Sequence, residues 1–370
     1  MDYLADRAKR IDASGIRRIW QMAASMKDPV NFSIGEPDFH TPDPIKTAAA
    51  RAITENHNTY TVTAGIPSLR EAVAARIKEE LKWDKPSVLV TCGLSGALHL
   101  ALMATINPGD EILIPDPYFV SYRHLVNLSG GKCVFMDTYP SFQLTAEILE
   151  KHLTPKSKIL LINSPANPTG SVYPAEELKK IADIARKHNL LVLTDEIYRD
   201  FSYDQPAASI GRYYENTLVM RAFSKCYGVP GWRIGYAAVN DGLLPVLDQM
   251  TTLQQYTFVC APHPFQLAVR EALDCDISHH IADYRHKRNR IYDGLKDRFD
   301  LVRPAGAFYA FVAAPGGNAT EFVKKAIEND VLIIPGSVFS QHDSHFRLSY
   351  ATSDANIAKG IERLNRLAGG

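Results

Sequence analysis

Thr217-Leu218-Val219-Met220-Arg221 leads into Ala222-Phe223-Ser224-Lys225, and then into Gly231-Trp232-Arg233-Ile234-Gly235-Tyr236. The first part is a short apolar run with the character of a strand. Just beyond it the chain sets one amine, Lys225, and one guanidinium, Arg233, at a fixed separation. An amine so placed can condense with an aldehyde, and a planar guanidinium can hold a phosphate through two parallel contacts. Most lysines are solvated surface residues, so the weight of this reading depends on partners elsewhere in the chain.

Two further apolar runs end in polar residues that suit the same chemistry. Ile159-Leu160-Leu161-Ile162 leads into Asn163-Ser164-Pro165-Ala166-Asn167-Pro168-Thr169-Gly170, and Leu190-Leu191-Val192-Leu193-Thr194 leads into Asp195-Glu196-Ile197-Tyr198. Both runs are short, continuous and rich in branched residues, the pattern of strands buried on both faces. Between them, Ala175 to His188 carries Leu178, Ile181, Ala182 and Ala185 on one helical face. Strand, helix, strand is a βαβ unit, so a parallel sheet is expected. Ligands of open parallel sheets sit at the carboxyl ends of the strands, which brings Asn167, Asp195 and Lys225 to one crevice. Pyridoxal phosphate carries an aldehyde and a phosphate on one ring, and few other small molecules do.

With these segments in view, the chain resembles the class I/II aminotransferases of pyridoxal-phosphate fold type I, the aspartate-aminotransferase-like group. The resemblance begins at Ser33-Ile34-Gly35-Glu36-Pro37-Asp38-Phe39 and continues through Tyr60 and Gly65-Ile66-Pro67-Ser68-Leu69-Arg70. It includes Pro115-Asp116-Pro117-Tyr118-Phe119-Val120-Ser121-Tyr122 and the asparagine, aspartate and lysine segments above. It ends with Gly306-Ala307-Phe308-Tyr309 and Phe346-Arg347-Leu348-Ser349-Tyr350. Any one segment is modest support; the ordered series over nearly the whole chain is specific.

The resemblance implies a role for each matching residue. Lys225 is expected to form the Schiff base with pyridoxal phosphate and to shuttle the substrate proton, general acid–base work that typically contributes about 10²–10⁴-fold in rate. Asp195 would pair with the pyridine nitrogen and keep the ring protonated. Tyr198 and Asn167 would donate to the ring's phenolic oxygen. Arg233 would take the phosphate, together with Gly93, Leu94 and Ser95, which follow the strand-like Val88-Leu89-Val90-Thr91 and open a helix, where free N–H groups favour anions. Phe119 would lie against the ring. Arg347 would grip the substrate α-carboxylate with Asn167 and a backbone contact from Gly35, whose lack of a side chain allows close approach. Tyr60 would reach the cofactor phosphate of a neighbouring subunit, which makes a homodimer the expected assembly. One departure stands out: many relatives carry Ser or Thr where this chain has Ala222, so a phosphate contact is missing unless Ser224 substitutes.

Bland alternatives exist for several of these positions. Asp195 could cap a helix, Tyr198 and Phe119 could be core aromatics, and Asn167 could shape a turn. Singly each is plausible; jointly they leave the coincidence unexplained.

Bulk properties agree. The chain has 370 residues, enough for two domains or one large α/β domain. It carries 41 Lys and Arg against 41 Asp and Glu, which argues against nucleic-acid or polybasic membrane partners. No apolar stretch approaches a membrane span, and Met1-Asp2-Tyr3-Leu4 lacks the layout of a signal peptide. Five scattered cysteines, Cys92, Cys133, Cys226, Cys260 and Cys275, fit reduced thiols and a cytoplasmic setting better than a disulfide framework. Cys226 reads as a buried structural thiol. His279, His280 and His286, with Arg285, Lys287 and Arg288, read as a solvated helical face, and no metal site is expected. G-x-G-x-x-G and Walker A patterns are absent from the sequence.

The expected architecture is α/β: a large pyridoxal-phosphate domain over 45–275 with a mostly parallel sheet flanked by helices. A smaller α+β domain would combine 1–44 with 276–370. It would contain Ile16, Ile19 and Trp20 on a short amphipathic helix, a long helix from Ile277 to Phe299 and the helix Thr320 to Glu328. Its strands would be Ala307 to Val312, Val331 to Ile334 and the Arg347 run. The expected function is ping-pong transfer of an amino group between an α-amino acid and an α-keto acid in amino-acid metabolism or biosynthesis. The alternative on the same scaffold is a carbon–sulfur β-lyase. A DNA-binding regulator is disfavoured because the stretch before Gly35 is too short for a helix-turn-helix module. Ile16, Trp20, Phe119, Tyr256 and Phe258 are candidates for an apolar side-chain pocket; the sequence does not assign the amino donor.

Overall fold

The structure is a computed structural model that describes residues 3–12, 15, 16, 19, 26 and 28–369. Trp20 lies outside the described residues, as do Met1 and Asp2. In chain order β1 (Val30–Asn31) comes first, and the next seven strands form one sheet. These are β2 (Ser87–Cys92), β3 (Glu111–Asp116), β4 (Lys132–Asp137), β5 (Ser157–Asn163), β6 (Leu191–Asp195), β7 (Thr217–Ala222) and β8 (Ile234–Val239). Their order is β2-β8-β7-β6-β5-β3-β4, parallel throughout except for β8, which runs antiparallel to both neighbours. The chain is thus an α/β protein with a mostly parallel central sheet.

The apolar runs are continuous because both faces of the sheet are covered. Along β5, Ile159 and Leu161 pack with Leu98, Leu100, Leu193 and Met220 under the helix Gly93–Thr105. Their neighbours Leu160 and Ile162 point the other way, toward Leu178, Ile181, Ala182 and Ala185 of the helix Ala175–Lys187. This is the two-residue period of a strand sandwiched between helices. Each such aliphatic side chain contributes roughly 1.5–3 kcal/mol by leaving water.

The register then sets the crevice. Asn163 pairs with Asp195 across β5 and β6, and Asp195 pairs with Met220 across β6 and β7. β5 and β6 therefore end level with one another and β7 runs on to Ala222, so the three strands stop at one edge of the sheet, just before Asn167, at Asp195 and just before Lys225.

The remaining strands are β9 (Tyr309–Ala313), β10 (Val331–Leu332), β11 (Ile334–Pro335) and β12 (His345–Ser349). β11, β12 and β9 form an antiparallel sheet, while β10 pairs in parallel with β1 from the far end of the sequence. The expected strand Val331 to Ile334 thus serves two sheets, broken at Ile333. β9 starts later than expected because Ala307 sits at φ 54°, outside the strand region. The long helix is Ser278–Leu295, and Ile16 and Ile19 are helical as expected. No helix among the described residues is long and apolar enough to cross a membrane.

One reading of that helix is corrected. His279, Arg285 and His286 are exposed, but Lys287 and Arg288 are buried. Lys287 Nζ lies 2.7 Å from Asp38 Oδ2 and 2.8 Å from Asp283 Oδ2. Arg288 forks onto Asp204 at 3.1 Å and donates to the Pro304 carbonyl at 2.6 Å. Charges can be buried when paired, and nothing in a one-dimensional polar run reveals partners so distant in the chain. His280 is half-buried and stacks on Phe39 with ring centroids 3.8 Å apart.

Candidate active site

A cavity of 640 Å³ opens at the carboxyl ends of β2, β5, β6 and β7, and β9 and β12 supply its other wall. Lys225, Asp195, Tyr198, Asn167, Arg233, Arg347, Phe119, Leu94, Ser95 and Gly35 all border it.

Asp195 ends β6 and is 3% exposed. Its Oδ2 accepts from the Tyr122 hydroxyl at 2.7 Å and its Oδ1 from the Ile197 N–H at 3.1 Å. Burial pushes its carboxyl up to about 6, against the downward pull of those two donors. Lys225 Nζ donates to the Gly35 carbonyl at 2.6 Å. Burial lowers its amine to about 8, and the nearby Arg233 and Arg347 charges add to this while Glu36 opposes it. A lysine so depressed holds a usable neutral, nucleophilic fraction near neutrality.

The asparagine segment is fixed by its own amides. Asn163 accepts from the Asn167 N–H at 2.8 Å and donates to the Asp195 carbonyl at 2.9 Å. Asn167 Oδ1 in turn accepts from Arg347 Nη1 at 3.1 Å, which leaves its NH₂ to the cavity. Arg347 also donates to the Ser33 carbonyl at 2.6 Å. Its guanidinium lies between the rings of Tyr309 and Phe339, 4.7 and 4.6 Å from their centroids. Arg347 is 1% exposed, and its Nε has no hydrogen-bond partner. The Tyr198 hydroxyl lies 2.8 Å from that of Tyr309.

An anion cradle stands at the opposite end. The helix Gly93–Thr105 begins without a side-chain cap, so its first N–H groups are free for an anion. Arg233 reaches across them, donating to the Pro230 carbonyl at 2.9 Å and the Cys92 carbonyl at 3.4 Å. A Cβ on Gly93 would come within 2.4 Å of Arg233 Nη2, at a φ of +70°, so glycine is required there. Gly93 thus backs the cradle without lining the cavity. Ala222 is a buried strand end, and Ser224 does border the cavity. Phe119 presents its ring there, edge-on to Tyr122 at 5.7 Å.

Among the predicted positions, Tyr60 stands apart: it is 80% exposed and away from the cavity of its own chain. Tyr256 and Phe258 are exposed as well and do not line it, whereas Ile16 does. Cys226 is buried, and burial raises its thiol well above the usual range. No group of His, Cys, Asp or Glu able to hold a metal is found among the described residues. Tyr122, Asn163 and Tyr309 carry contacts that sequence reasoning did not assign. Tyr122 and Tyr309 lie inside the recognised segments, and spacing alone gave no sign of what their hydroxyls meet.

The donor set fits pyridoxal phosphate: a buried amine of lowered pKa, a buried carboxylate, and an uncapped helix start crossed by an arginine. The sequence profile described as aminotransferase class I and II matches residues 27–364. The chain belongs to that family. It is a pyridoxal-phosphate-dependent aminotransferase, moving an amino group between an α-amino acid and an α-keto acid. The enzyme is 40% identical to a probable aspartate aminotransferase of Methanocaldococcus jannaschii over 97% of this chain and 98% of that one. It is 35% identical to aromatic-amino-acid aminotransferase 2 of Thermococcus litoralis over 98% of each chain. The solved structure of Thermus thermophilus aspartate aminotransferase with maleate superposes with a TM-score of 0.92 at 33% identity, covering 99% of this chain and 100% of that one.

Proposed function

We propose that the enzyme works by a ping-pong cycle in which Lys225 carries the cofactor and Arg347 holds the α-carboxylate of donor and acceptor alike. The observation that carries this reading is the convergence of Lys225, Asp195, Arg233 and Arg347 on one 640 Å³ cavity. When bound, pyridoxal phosphate supplies an aldehyde for amines and a ring that withdraws electrons from the substrate α-carbon. Asp195 accepts the ring nitrogen's proton in a hydrogen bond, which favours the charged ring. Tyr198 and the free NH₂ of Asn167 donate to the phenolic oxygen. Arg233, the first N–H groups of the Gly93–Thr105 helix and the Ser95 hydroxyl hold the phosphate, with Ser224 in reach of the same wall where Ala222 offers nothing. Phe119 supports the ring face. Lys225 Nζ would hold and return the proton of the substrate α-carbon, and Gly35 would admit the substrate close to the backbone.

Arg347 is held by Asn167, Ser33 and two rings, and its unpartnered Nε supports an anionic ligand. Ile16, Ile34 and Phe119 give the cavity an apolar lining, which supports donors with aromatic or aliphatic side chains. The aspartate in the names of several relatives makes a dicarboxylic donor the competitor.

The same reading divides the chain into a large domain over 45–275 and a small one of 1–44 with 276–370. The large domain would carry the Lys225 wall and the small one the Arg347 wall, so their closure would complete the site. It also makes the enzyme a homodimer. Tyr60 and Val62 are 80% and 60% exposed, beside a second exposed pair, Tyr256 at 81% and Phe258 at 41%. The two stretches are tied where Gln254 donates to the Thr63 carbonyl at 2.8 Å. A second copy covering this apolar surface would bring Tyr60 to the neighbouring site. Five free thiols support a reducing, cytoplasmic setting.

A half-reaction tests the function. Mixed with one amino acid alone, the loaded enzyme should release one equivalent of keto acid and stop. A β-lyase would instead keep producing ammonia and pyruvate. A donor screen against 2-oxoglutarate, oxaloacetate and pyruvate then ranks aromatic, aliphatic and dicarboxylic amino acids.

A further inference from the structure

Tyr309 touches three parts of the site. Its hydroxyl lies 2.8 Å from that of Tyr198, and both side chains are buried. Its ring covers the Arg347 guanidinium, 4.7 Å from the centroid. Its oxygen also stands where a Cβ on Gly35 would come within 2.5 Å of it. The β9–β12 ladder sets these contacts, with Phe311 opposite Arg347 and Tyr309 opposite Ser349.

Two hydroxyls in contact share one hydrogen bond, and only one of them donates in it. If Tyr198 donates to Tyr309, its proton is used there and its oxygen faces the cavity as an acceptor. If Tyr309 donates, the Tyr198 proton is free to serve an acceptor in the cavity. We propose that Tyr309 is a positioning residue whose hydroxyl donates to Tyr198 and so aims the Tyr198 proton at the phenolic oxygen of the bound cofactor. This rests on the assignment of Tyr198 to that oxygen. Burial raises the Tyr309 hydroxyl's pKa while the Arg347 charge opposes the rise, so the hydroxyl keeps a proton that it can donate. Hydrogen bonds in series polarise one another by about 10–30% per bond, so Tyr309 strengthens the contact that Tyr198 makes.

The test compares Tyr309→Phe and Tyr198→Phe in the cofactor-loaded enzyme, reading the visible absorbance of the bound cofactor against pH. A weaker donor to the phenolic oxygen moves the midpoint upward. Tyr309→Phe should raise it by roughly 0.3–1 pH unit, in the same direction as Tyr198→Phe and by less. KM for the amino donor should stay within about twofold, because the phenyl ring still covers Arg347. A shifted midpoint in Tyr198→Phe with an unmoved one in Tyr309→Phe overturns the proposal alone. An unmoved midpoint in both removes Tyr198 from the phenolic oxygen, and the proposal falls with it. A Tyr309→Phe variant that changes KM while leaving the midpoint in place makes the residue merely structural and also overturns the proposal.

Discussion

Tyr122 donates its hydroxyl proton to Asp195 Oδ2 at 2.7 Å, across 73 residues of sequence, with both side chains buried. The bond favours the charged carboxylate, and burial works against it. Tyr122→Phe should therefore push the Asp195 carboxyl further above about 6. A hydrogen bond to a charged group is worth roughly 1.5–3 kcal/mol, so cofactor affinity and kcat should each fall about tenfold. The loss should be greater at pH 6 than at pH 8. Profiles of variant and parent that run parallel across this range would show that the tyrosine does not hold the carboxylate.

The same burial makes a prediction about stability in the cofactor-free protein. Asp195 has a folded pKa of about 6, above its ordinary 3.8. The folded state thus binds the extra proton between these values, and stability from this group falls as pH rises through that window. Above it the ionised carboxylate costs about 3 kcal/mol, because the two values lie about two pH units apart. Asp195→Asn should accordingly stabilise the cofactor-free protein at pH 8 by up to that amount and leave it nearly unchanged at pH 4, while activity collapses. Urea denaturation at the two pH values measures this. A variant less stable than the parent at pH 8 contradicts the burial account.

Much of this arrangement is legible in the sequence, and the reason is topological. In a parallel sheet, short apolar runs followed by Asn167, Asp195 and Lys225 must deliver those residues to one edge, so pattern and position carry the same information. Arg347 is legible only through the resemblance, because its wall comes from a different sheet. The pairings across those walls are not legible. Tyr122 to Asp195 and Tyr309 to Tyr198 depend on where two hydroxyls meet after folding, and any buried tyrosine reads alike beforehand. Lys287 and Arg288 illustrate the converse: a polar helical run that looks solvated is buried because Asp38 and Asp204 arrive from other segments.

Behind Asp195, a charged network fastens the strand ends. Arg221 donates through Nε and Nη2 to Glu196 Oε2 at 2.9 and 2.7 Å, and through Nη1 and Nη2 to Glu80 at 2.8 and 2.7 Å. Breaking one side of a buried ion pair leaves an uncompensated charge and typically costs about 3–5 kcal/mol. Arg221→Met should lose stability on that scale, and Glu80→Gln in the same background should recover little because Glu196 stays unpaired. Adding Glu196→Gln should recover more. Thermal melts of the three variants measure this order, and equal recovery from either glutamine would mean the two carboxylates share the load.

Arg347→Lys separates charge from geometry. The guanidinium is clamped between Tyr309 and Phe339 and keeps a fixed fork by donating to Asn167 and Ser33. A lysine ammonium has a similar charge but no planar fork, so a carboxylate that needs two parallel donors loses at least one charged hydrogen bond. At roughly 1.5–3 kcal/mol, KM should rise by about 10- to 100-fold for amino donor and keto acceptor together, since both present the same α-carboxylate. Cofactor affinity should change far less than KM, because the anion cradle lies at the opposite end of the cavity and only the Asn167 contact is shared with Arg347. Steady-state kinetics with each substrate varied in turn measure both constants. A rise confined to one of the two substrates would mean that Arg347 reads a side chain rather than the group they share.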